Sequence, residues 1–393
     1  MFQLFENMFY LSLFVLFGFY ISYYLICYIY KAKNVKKSNA QVYEKMEFPK
    51  VSLIIPVFNE NEVIKDKVRN LQELVYPRDK LEILFVDGGS TDGTDKTIKN
   101  IMNRVDLDIK LIEQGKRMGF NSAVMVGFRG STGDVILIPG AETMYAPDAL
   151  KRVILHFSDK RVGAVNGRQV LKNLDEGLSP KHEHAYRSMQ DFLREGEDNM
   201  DTLFDVKGEI VAGRRTVCEE LVKNPEFRGK GCIDACFFFQ SRMDGYSTIY
   251  EPDAVYYESS PRSFKDSFKQ RLRRAATLIQ NMFIFKNMIF NRKHGSFGML
   301  IMPAHFLMLI VLPYIFFFSL FSFLILNFIY FPNYIYLLLL ALGLSLFSLS
   351  KTLQAFVKLQ LVLIMAHAKL VMGVETQKFE KIESTRTGAE IKS

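Results

Sequence analysis

The 393-residue sequence contains no tryptophan and only four cysteines. Cys27, Cys218, Cys232 and Cys236 supply no disulfide framework, which fits a reducing cytosol. Cys232 and Cys236 share a predicted helix face and read as small core residues rather than a redox pair. His182 and His184 flank Glu183 at a spacing of two, so they do not share a helix face and do not read as a metal site. No tandem repeat or low-complexity segment is evident outside the hydrophobic runs. Nothing basic precedes the first of those runs and no small-x-small site ends it, which argues against a cleaved signal peptide.

The apolar residues, phenylalanine foremost, are bunched towards the two ends. Met8–Tyr30 and Gly298–Leu326 are each long enough to cross a bilayer, which takes about 20 apolar residues. Tyr334–Leu349 is shorter but carries no charge. These runs predict an integral protein of the cell membrane. The formal net charge of +8 does not point to nucleic acid, because the cations lie where membrane topology wants them. Lys31, Lys33, Lys36 and Lys37 follow the first run, so the positive-inside rule predicts an external N-terminus and a cytoplasmic middle domain. A second crossing over Met299–Leu326 and a return over Tyr334–Leu349 leave Lys351 inside and the uncharged loop Asn327–Asn333 outside. Leu353–Met372 is apolar but holds Lys358, Gln360, His367 and Lys369, and reads as an interfacial or membrane-buried helix. That reading keeps the basic tail, with Lys378, Lys381, Arg386 and Lys392, inside.

Between the hydrophobic ends, a basic linker (31–50) leads into a domain predicted over 51–263. The stretch Ile83–Thr94, ILFVDGGSTDGT, reads as a buried strand, a tight glycine turn at Gly88 and Gly89, and a capped helix start. One strand earlier, Val51–Ile55 runs into Pro56-Val57-Phe58-Asn59-Glu60, and Glu62–Leu74 has helical periodicity with Val63, Val68, Leu71 and Leu74 on one face. Two consecutive strand–acid–helix units predict an α/β, Rossmann-like and mostly parallel sheet. Ligands of such sheets sit outside the carboxyl ends of the strands, where Glu60 and Asp87 stand. Further strands are expected at Ile109–Ile112, Val135–Ile138 and Val162–Val170, with helices at Thr94–Asn103, Phe120–Arg129 and Pro147–Phe157. After Asp175 the alternation loosens. Phe264, Phe268, Leu272, Ala275, Ile279 and Phe283 then fall on one helical face, with Lys265, Lys269, Arg271, Arg273 and Arg274 near its start. A basic amphipathic helix just before a span predicts an interfacial segment over 264–297.

These residues resemble the family 2 glycosyltransferases, inverting enzymes of the GT-A fold, and in particular the membrane-embedded branch of cellulose, hyaluronan and poly-N-acetylglucosamine synthases. VSLIIPVFNE at Val51–Glu60 and FVDGGSTDGT at Phe85–Thr94 are similar to the two nucleotide-binding strand ends. GKRMGFNSA at Gly115–Ala123 resembles the family's lysine-bearing loop, and GYSTIYEPDAVYYE at Gly245–Glu258 with QRLRR at Gln270–Arg274 resembles the acceptor half. The tail KFEKIESTRTG also looks like the family's cytoplasmic end. The resemblance implies a nucleotide pocket of Pro56, Phe58, Glu60, Asp87 and Gly88, with Asp87 near the base and Lys116 at the diphosphate. Carboxylates accept hydrogen bonds from uracil and ribose, and lysine is a phosphate point charge. Counting eleven residues back from Gly245 puts the family's catalytic base at Asp234.

Two departures from the family pattern stand out. The fourth strand should end in Asp-x-Asp, the motif that holds a divalent cation, but Gly140 and Glu142 occupy those positions. Glu142 alone can hold Mg²⁺ or Mn²⁺; Lys116 and other cations can replace the metal; or activity can be lost. The family's Gln-x-x-Arg-Trp is QRLRR here, so Arg274 stands where a tryptophan packs on the acceptor sugar. That favours a single transfer over polymerisation, with Gln270, Arg271 and Arg273 available for phosphates of donor or lipid. The expected function is transfer from a nucleotide diphosphate sugar, a UDP-sugar by resemblance, to a lipid or lipid-linked acceptor at the cytoplasmic leaflet. A processive synthase and a non-catalytic nucleotide-sugar-binding subunit are the alternatives, and a homo-oligomer or a glycan-assembly partner stays open.

Overall fold

The computed structural model describes residues 2–33, 47–173, 178–206, 208–227, 229–330, 334–374 and 385. Lys36 and Lys37, most of the linker and all of the tail motif but Thr385 lie outside the described residues, as do the side chains of His182 and Glu183.

The first strands form where the apolar runs predicted them. β1 (Val51–Val57), β2 (Leu81–Asp87), β3 (Asp108–Glu113) and β4 (Val135–Leu137) are parallel to one another, and β2 is buried along its whole length. Four further strands, β5 (Met144–Tyr145), β6 (Val162–Leu171), β7 (Val211–Arg214) and β8 (Ser247–Glu258), complete one eight-stranded sheet ordered β3-β2-β1-β4-β7-β6-β8-β5. β7 runs antiparallel to both β4 and β6, β6 is parallel to β8, and β5 is antiparallel to β8. The sheet thus changes character at β7, and the short turn of 3₁₀ helix Gly208–Ile210 that leads into it lies beside the end of β4.

Helices cover both faces. α1 (Phe2–Lys33) precedes the sheet; α2 (Asn61–Gln72), α3 (Thr94–Met102) and α4 (Phe120–Gly130) follow β1, β2 and β3, and α5 (Ala149–Leu155) follows β5. On one face Leu53, Ile55 and Phe85 pack with Val63, Val68 and Leu71 of α2 and Val153 of α5. On the other, Ile54, Leu84 and Val86 pack with Ala123 and Val124 of α4. α6 (Leu178–Met200), α7 (Arg215–Lys223), α8 (Ile233–Met243) and α9 (Phe264–Ile284) extend the second face, where Phe237, Phe238 and Phe239 of α8 are buried. α4 lies close enough to β1 that a Cβ at Gly127 would sit 2.4 Å from Ile54 Cγ2 and 3.0 Å from Val86 Cγ2.

The apolar helices dock on this domain. A helical run Phe297–Ile329 contains α10 (Met302–Phe306) and α11 (Leu312–Ile329), each preceded by a π-turn, at Phe297–Ile301 and Leu307–Val311. Pro303 and Pro313 account for both turns. Each lacks the donor for the carbonyl four residues back and clashes with it, and the wider turn relieves that contact. α12 (Tyr334–Leu349) and α13 (Lys351–Val371) follow. Three stretches, Gln3–Lys33, Phe297–Ile329 and Leu353–Val371, are long and apolar enough to cross a membrane, and Leu337–Leu349 is shorter. The protein is membrane-integrated. α9 is not bare on its apolar side: Leu272, Ala275, Ala276 and Ile279 pack against Val362, Leu363 and Ala366 of α13.

One carboxylate joins the spans to the domain. Glu197 of α6 accepts hydrogen bonds from Tyr23 Oη of α1 at 2.7 Å and from the backbone N–H of Phe204 at 3.1 Å, and meets His305 Nε2 of α10 at 2.6 Å. The His305 ring stacks on Phe204 with centroids 4.0 Å apart. α1 and α6 touch backbone to backbone at Gly196, where a Cβ would lie 2.7 Å from the carbonyl oxygen of Cys27.

Gly127→Val overpacks the contact of α4 with β1 and is expected to cost about 1–3 kcal/mol. Thermal unfolding in detergent reads this as a lower midpoint. Gly18→Val, at a position with nothing within 4 Å, is expected to leave the midpoint in place.

Candidate active site

Parallel register sets Val57 opposite Asp87, so β1 and β2 end side by side. Their loops are sewn together. The backbone N–H of Asn59 donates to Ser90 Oγ at 2.9 Å, that of Thr91 to Asn59 Oδ1 at 2.8 Å, that of Glu60 to Thr94 Oγ1 at 2.9 Å and that of Gly88 to the Val57 carbonyl at 2.9 Å. Asn59 has a φ of 55°, a left-handed conformation that asparagine tolerates better than most side chains. Asp87, 4% exposed, accepts hydrogen bonds from the N–H groups of Gly89 and Ser90 and from the Ser90 hydroxyl, which fixes the glycine turn. Gly89 has a φ of 84°, and a Cβ there would meet the Gly115 carbonyl at 3.2 Å and Lys116 Cα at 3.3 Å. Glycine therefore lets the lysine loop lie against the turn, with the Lys116 side chain exposed. Pro56, Phe58, Glu60, Asp87, Gly88 and Lys116 come together at this strand end. Arg117, which sequence reasoning passed over, places its guanidinium 4.3 Å from the Phe58 ring centroid.

A second cluster lies where β4 ends, and it holds more acid than the sequence suggested. Gly140 and Glu142 follow the strand as expected. Glu209, from the turn before β7, accepts hydrogen bonds on Oε2 from the Gly140 N–H at 2.8 Å and Thr143 Oγ1 at 2.9 Å. Burial pushes Glu209 up to about 8, and the nearby Glu142, Glu258 and Asp234 push the same way. Lys67 of α2 is fully buried beneath the cluster and donates from Nζ to the Thr143 carbonyl at 2.6 Å. Burial pulls its ammonium down to about 8, while Glu209 and Glu142 act to raise it. The sequence did carry a signal for Lys67, because it stands on the apolar stripe of α2 between Val63 and Leu71. Glu209 gave no local signal.

Asp234 occupies the first turn of α8. Its Oδ1 is buried and accepts no hydrogen bond among the described residues, and its Oδ2 receives the Cys232 thiol at 3.4 Å. A Cβ at Gly208 would collide with Asp234 Oδ2, so the turn that carries Glu209 leaves room for the carboxylate. Burial raises Asp234 to about 6, against the Cys232 thiol and the guanidinium charges of Arg274 and Arg273. Arg274 Nη2 lies 3.8 Å from Oε1 of the buried Glu258 at the end of β8. Arg273 is held down to about 10 by burial and by Arg274, while Glu209 and Glu142 draw it up. Arg271 is buried and Gln270 half-buried on the same helix. Among the described residues, no group of three or more His, Cys, Asp or Glu side chains is placed to hold a metal unaided. The site therefore has a loop pair suited to a nucleoside, a carboxylate cluster at β4, one unengaged carboxylate oxygen on Asp234, and two arginines.

Residues 52–222 match the family model described as glycosyl transferase family 2. That stretch of the chain is therefore similar to the family 2 glycosyltransferases. Its GT-A-like fold is shared with the mannosyltransferase PcManGT from Pyrobaculum calidifontis, solved in complex with GDP-Man and Mn²⁺. The two agree with a TM-score of 0.78 and 26% identity over 94% of this chain and 100% of that one. The chain is also similar to the probable glycosyltransferase YdaM of Bacillus subtilis, 28% identical over 58% of this chain and 54% of the relative. The poly-beta-1,6-N-acetyl-D-glucosamine synthase of Staphylococcus aureus is 23% identical over 58% of this chain and 54% of its own length. The chain thus spans about half the length of these curated relatives.

Asn59→Ala removes the acceptor for Thr91 and disfavours the left-handed backbone, at a cost of about 1–3 kcal/mol. Hydrogen–deuterium exchange is expected to quicken in both Asn59–Asn61 and Ser90–Thr94, while β1 stays protected. Unchanged exchange in the Ser90 loop would show that the two loops are held independently.

Proposed function

We propose that the protein is a membrane-bound inverting glycosyltransferase that moves a sugar from a nucleotide diphosphate donor to a lipid or lipid-linked acceptor at the cytoplasmic leaflet of the cell membrane, with its N-terminus outside. The observation that carries this reading is the buried, unengaged Oδ1 of Asp234 beside two arginines. A general base must be ionised at working pH yet basic enough to take a proton, and a value near 6 meets both needs. Asp234 takes the proton of the acceptor hydroxyl as that oxygen bonds to the anomeric carbon. The bond from that carbon to the diphosphate oxygen breaks on the opposite face, and the configuration inverts.

The strand-end loops hold the donor. Glu60 and Asp87 address the nucleoside, Pro56, Phe58 and Gly88 shape its pocket, and Lys116 neutralises phosphate charge. Glu142 is a ligand for a divalent cation, Mg²⁺ or Mn²⁺, which would stabilise charge on the leaving diphosphate when bound. Gln270, Arg271 and Arg273 face phosphates of donor or lipid, with the acceptor delivered along α9. Arg274, anchored on Glu258, offers no flat ring for a sugar to slide across, which supports one transfer per encounter. The family resemblance favours a uridine donor and the solved neighbour carries GDP-Man, so donors of both kinds belong in the test.

Release of nucleotide from UDP- and GDP-sugars, with the protein in native-like membranes, tests the reading. Asp234→Asn is expected to slow release by at least about 100-fold while donor binding persists. Donor binding without release from any sugar nucleotide would instead indicate a non-catalytic binding subunit. The acid limb of the wild-type profile is expected to bend near pH 6. Below it Asp234 is protonated and the rate falls about tenfold per unit of pH. A flat profile between pH 4.5 and about 7 would remove Asp234 from the role of base.

A further inference from the structure

We propose that Glu209 supplies the carboxylate missing at position 140, so that Glu142 and Glu209 together form the protein's half of the cation site. The inference rests on the transferase reading above and extends it to a residue that lies 69 positions from Gly140 in sequence. A Cβ built on Gly140 would lie 2.5 Å from Glu209 Oε2 and 2.9 Å from Glu142 Oε2. The Glu209 carboxylate therefore fills the space that a side chain at 140 would enter, and it faces Glu142 across that space. Glycine at 140 and the present placement of the Glu209 carboxylate go together, since a side chain at 140 would require that carboxylate to move.

The donor set suits a hard cation. Both hydrogen bonds to the Glu209 carboxylate, from the Gly140 N–H and the Thr143 hydroxyl, converge on Oε2. Among the described residues, Oε1 accepts none. Glu209 is thus oriented by one oxygen and has the other for a ligand. Two carboxylates facing one gap repel each other, and a cation between them removes that repulsion. Two protein carboxylates fall short of a complete site, in keeping with the lack of any three-ligand cluster among the described residues. Mg²⁺ and Mn²⁺ reach six oxygens with one or two carboxylates, substrate phosphates and water. The site is then complete only when the nucleotide diphosphate is present. A purely structural Glu209, clamping the loop through Oε2, is the competing account, and glutamine at 209 separates the two because it keeps the acceptor and loses the charge.

The test is Mn²⁺ binding by the full chain in detergent, followed by electron paramagnetic resonance with UDP or GDP present, with thermal unfolding of each variant alongside. Wild-type protein is expected to take up Mn²⁺ with the nucleotide it binds. Glu209→Gln is expected to weaken that uptake by about tenfold or more, with nucleotide affinity in EDTA and the unfolding midpoint unchanged. Gly140→Asp combined with Glu209→Ala returns the carboxylate to its usual position and is expected to restore Mn²⁺ uptake. Wild-type uptake in Glu209→Gln, or a folded double variant that stays without Mn²⁺, would overturn the assignment. Wild-type protein that binds nucleotide in EDTA but never takes up Mn²⁺ would overturn it while sparing the transferase reading. No binding of either nucleotide, with or without Mn²⁺, would overturn both.

Discussion

Parallel register among β1, β2 and β4 is the constraint on which the site depends. It lines up three strand ends, so that acids from different segments meet at one edge of the sheet. Apolar residues that have nowhere else to go enforce that register, since Leu53, Ile83 and Leu137 are all without solvent contact. A slip of one residue would carry each of these to the other helix-covered face, into the places of Ile54, Leu84 and Ile136. The antiparallel β7 then brings Gly208 and Glu209 to the same edge from the other half of the sheet. The strand-end loops and the carboxylate cluster are therefore neighbours by construction, one built from local turns and the other from a long-range crossing.

The two halves differ in how their charges are managed. At the glycine turn Asp87 is satisfied locally, by hydrogen-bond donors two and three residues on. At the end of β4 the acids Glu142, Glu209, Asp234 and Glu258 come from four separate segments, and Lys67, Arg273 and Arg274 balance them from below and beside. Burial of this many ionisable groups is costly unless they are paired. Its concentration beside an unengaged aspartate oxygen is a mark of chemistry more than of folding.

That contrast also explains what could be read from the sequence. The parallel units, the turn at Gly88 and Gly89 and the strand-end acids are local patterns, and each appears in the structure where the periodicity put it. Lys67 was legible in principle, as a charge on the stripe of Val63 and Leu71, yet a single lysine in a helix is easily taken for a surface residue. Glu209 was not legible, because its significance comes from Gly140 and Glu142 across the sheet. Glu258 was read only as the last residue of the motif that resembles the acceptor half, and its pairing with Arg274 depends on how α9 folds back. Sequence spacing finds groups that act with their neighbours. It does not find groups that act through a crossing of strands.

Glu197 has a practical consequence for anyone wishing to work without detergent. Two of its three partners, Tyr23 and His305, belong to helices that a water-soluble fragment would discard. Such a fragment would keep the Phe204 N–H but leave a carboxylate and the apolar faces of Phe192 and Leu193 open where α1 had lain. Trimming at the membrane boundary is therefore surgery on the domain itself, and a soluble version needs redesign of α6 as well as the removal of its anchors.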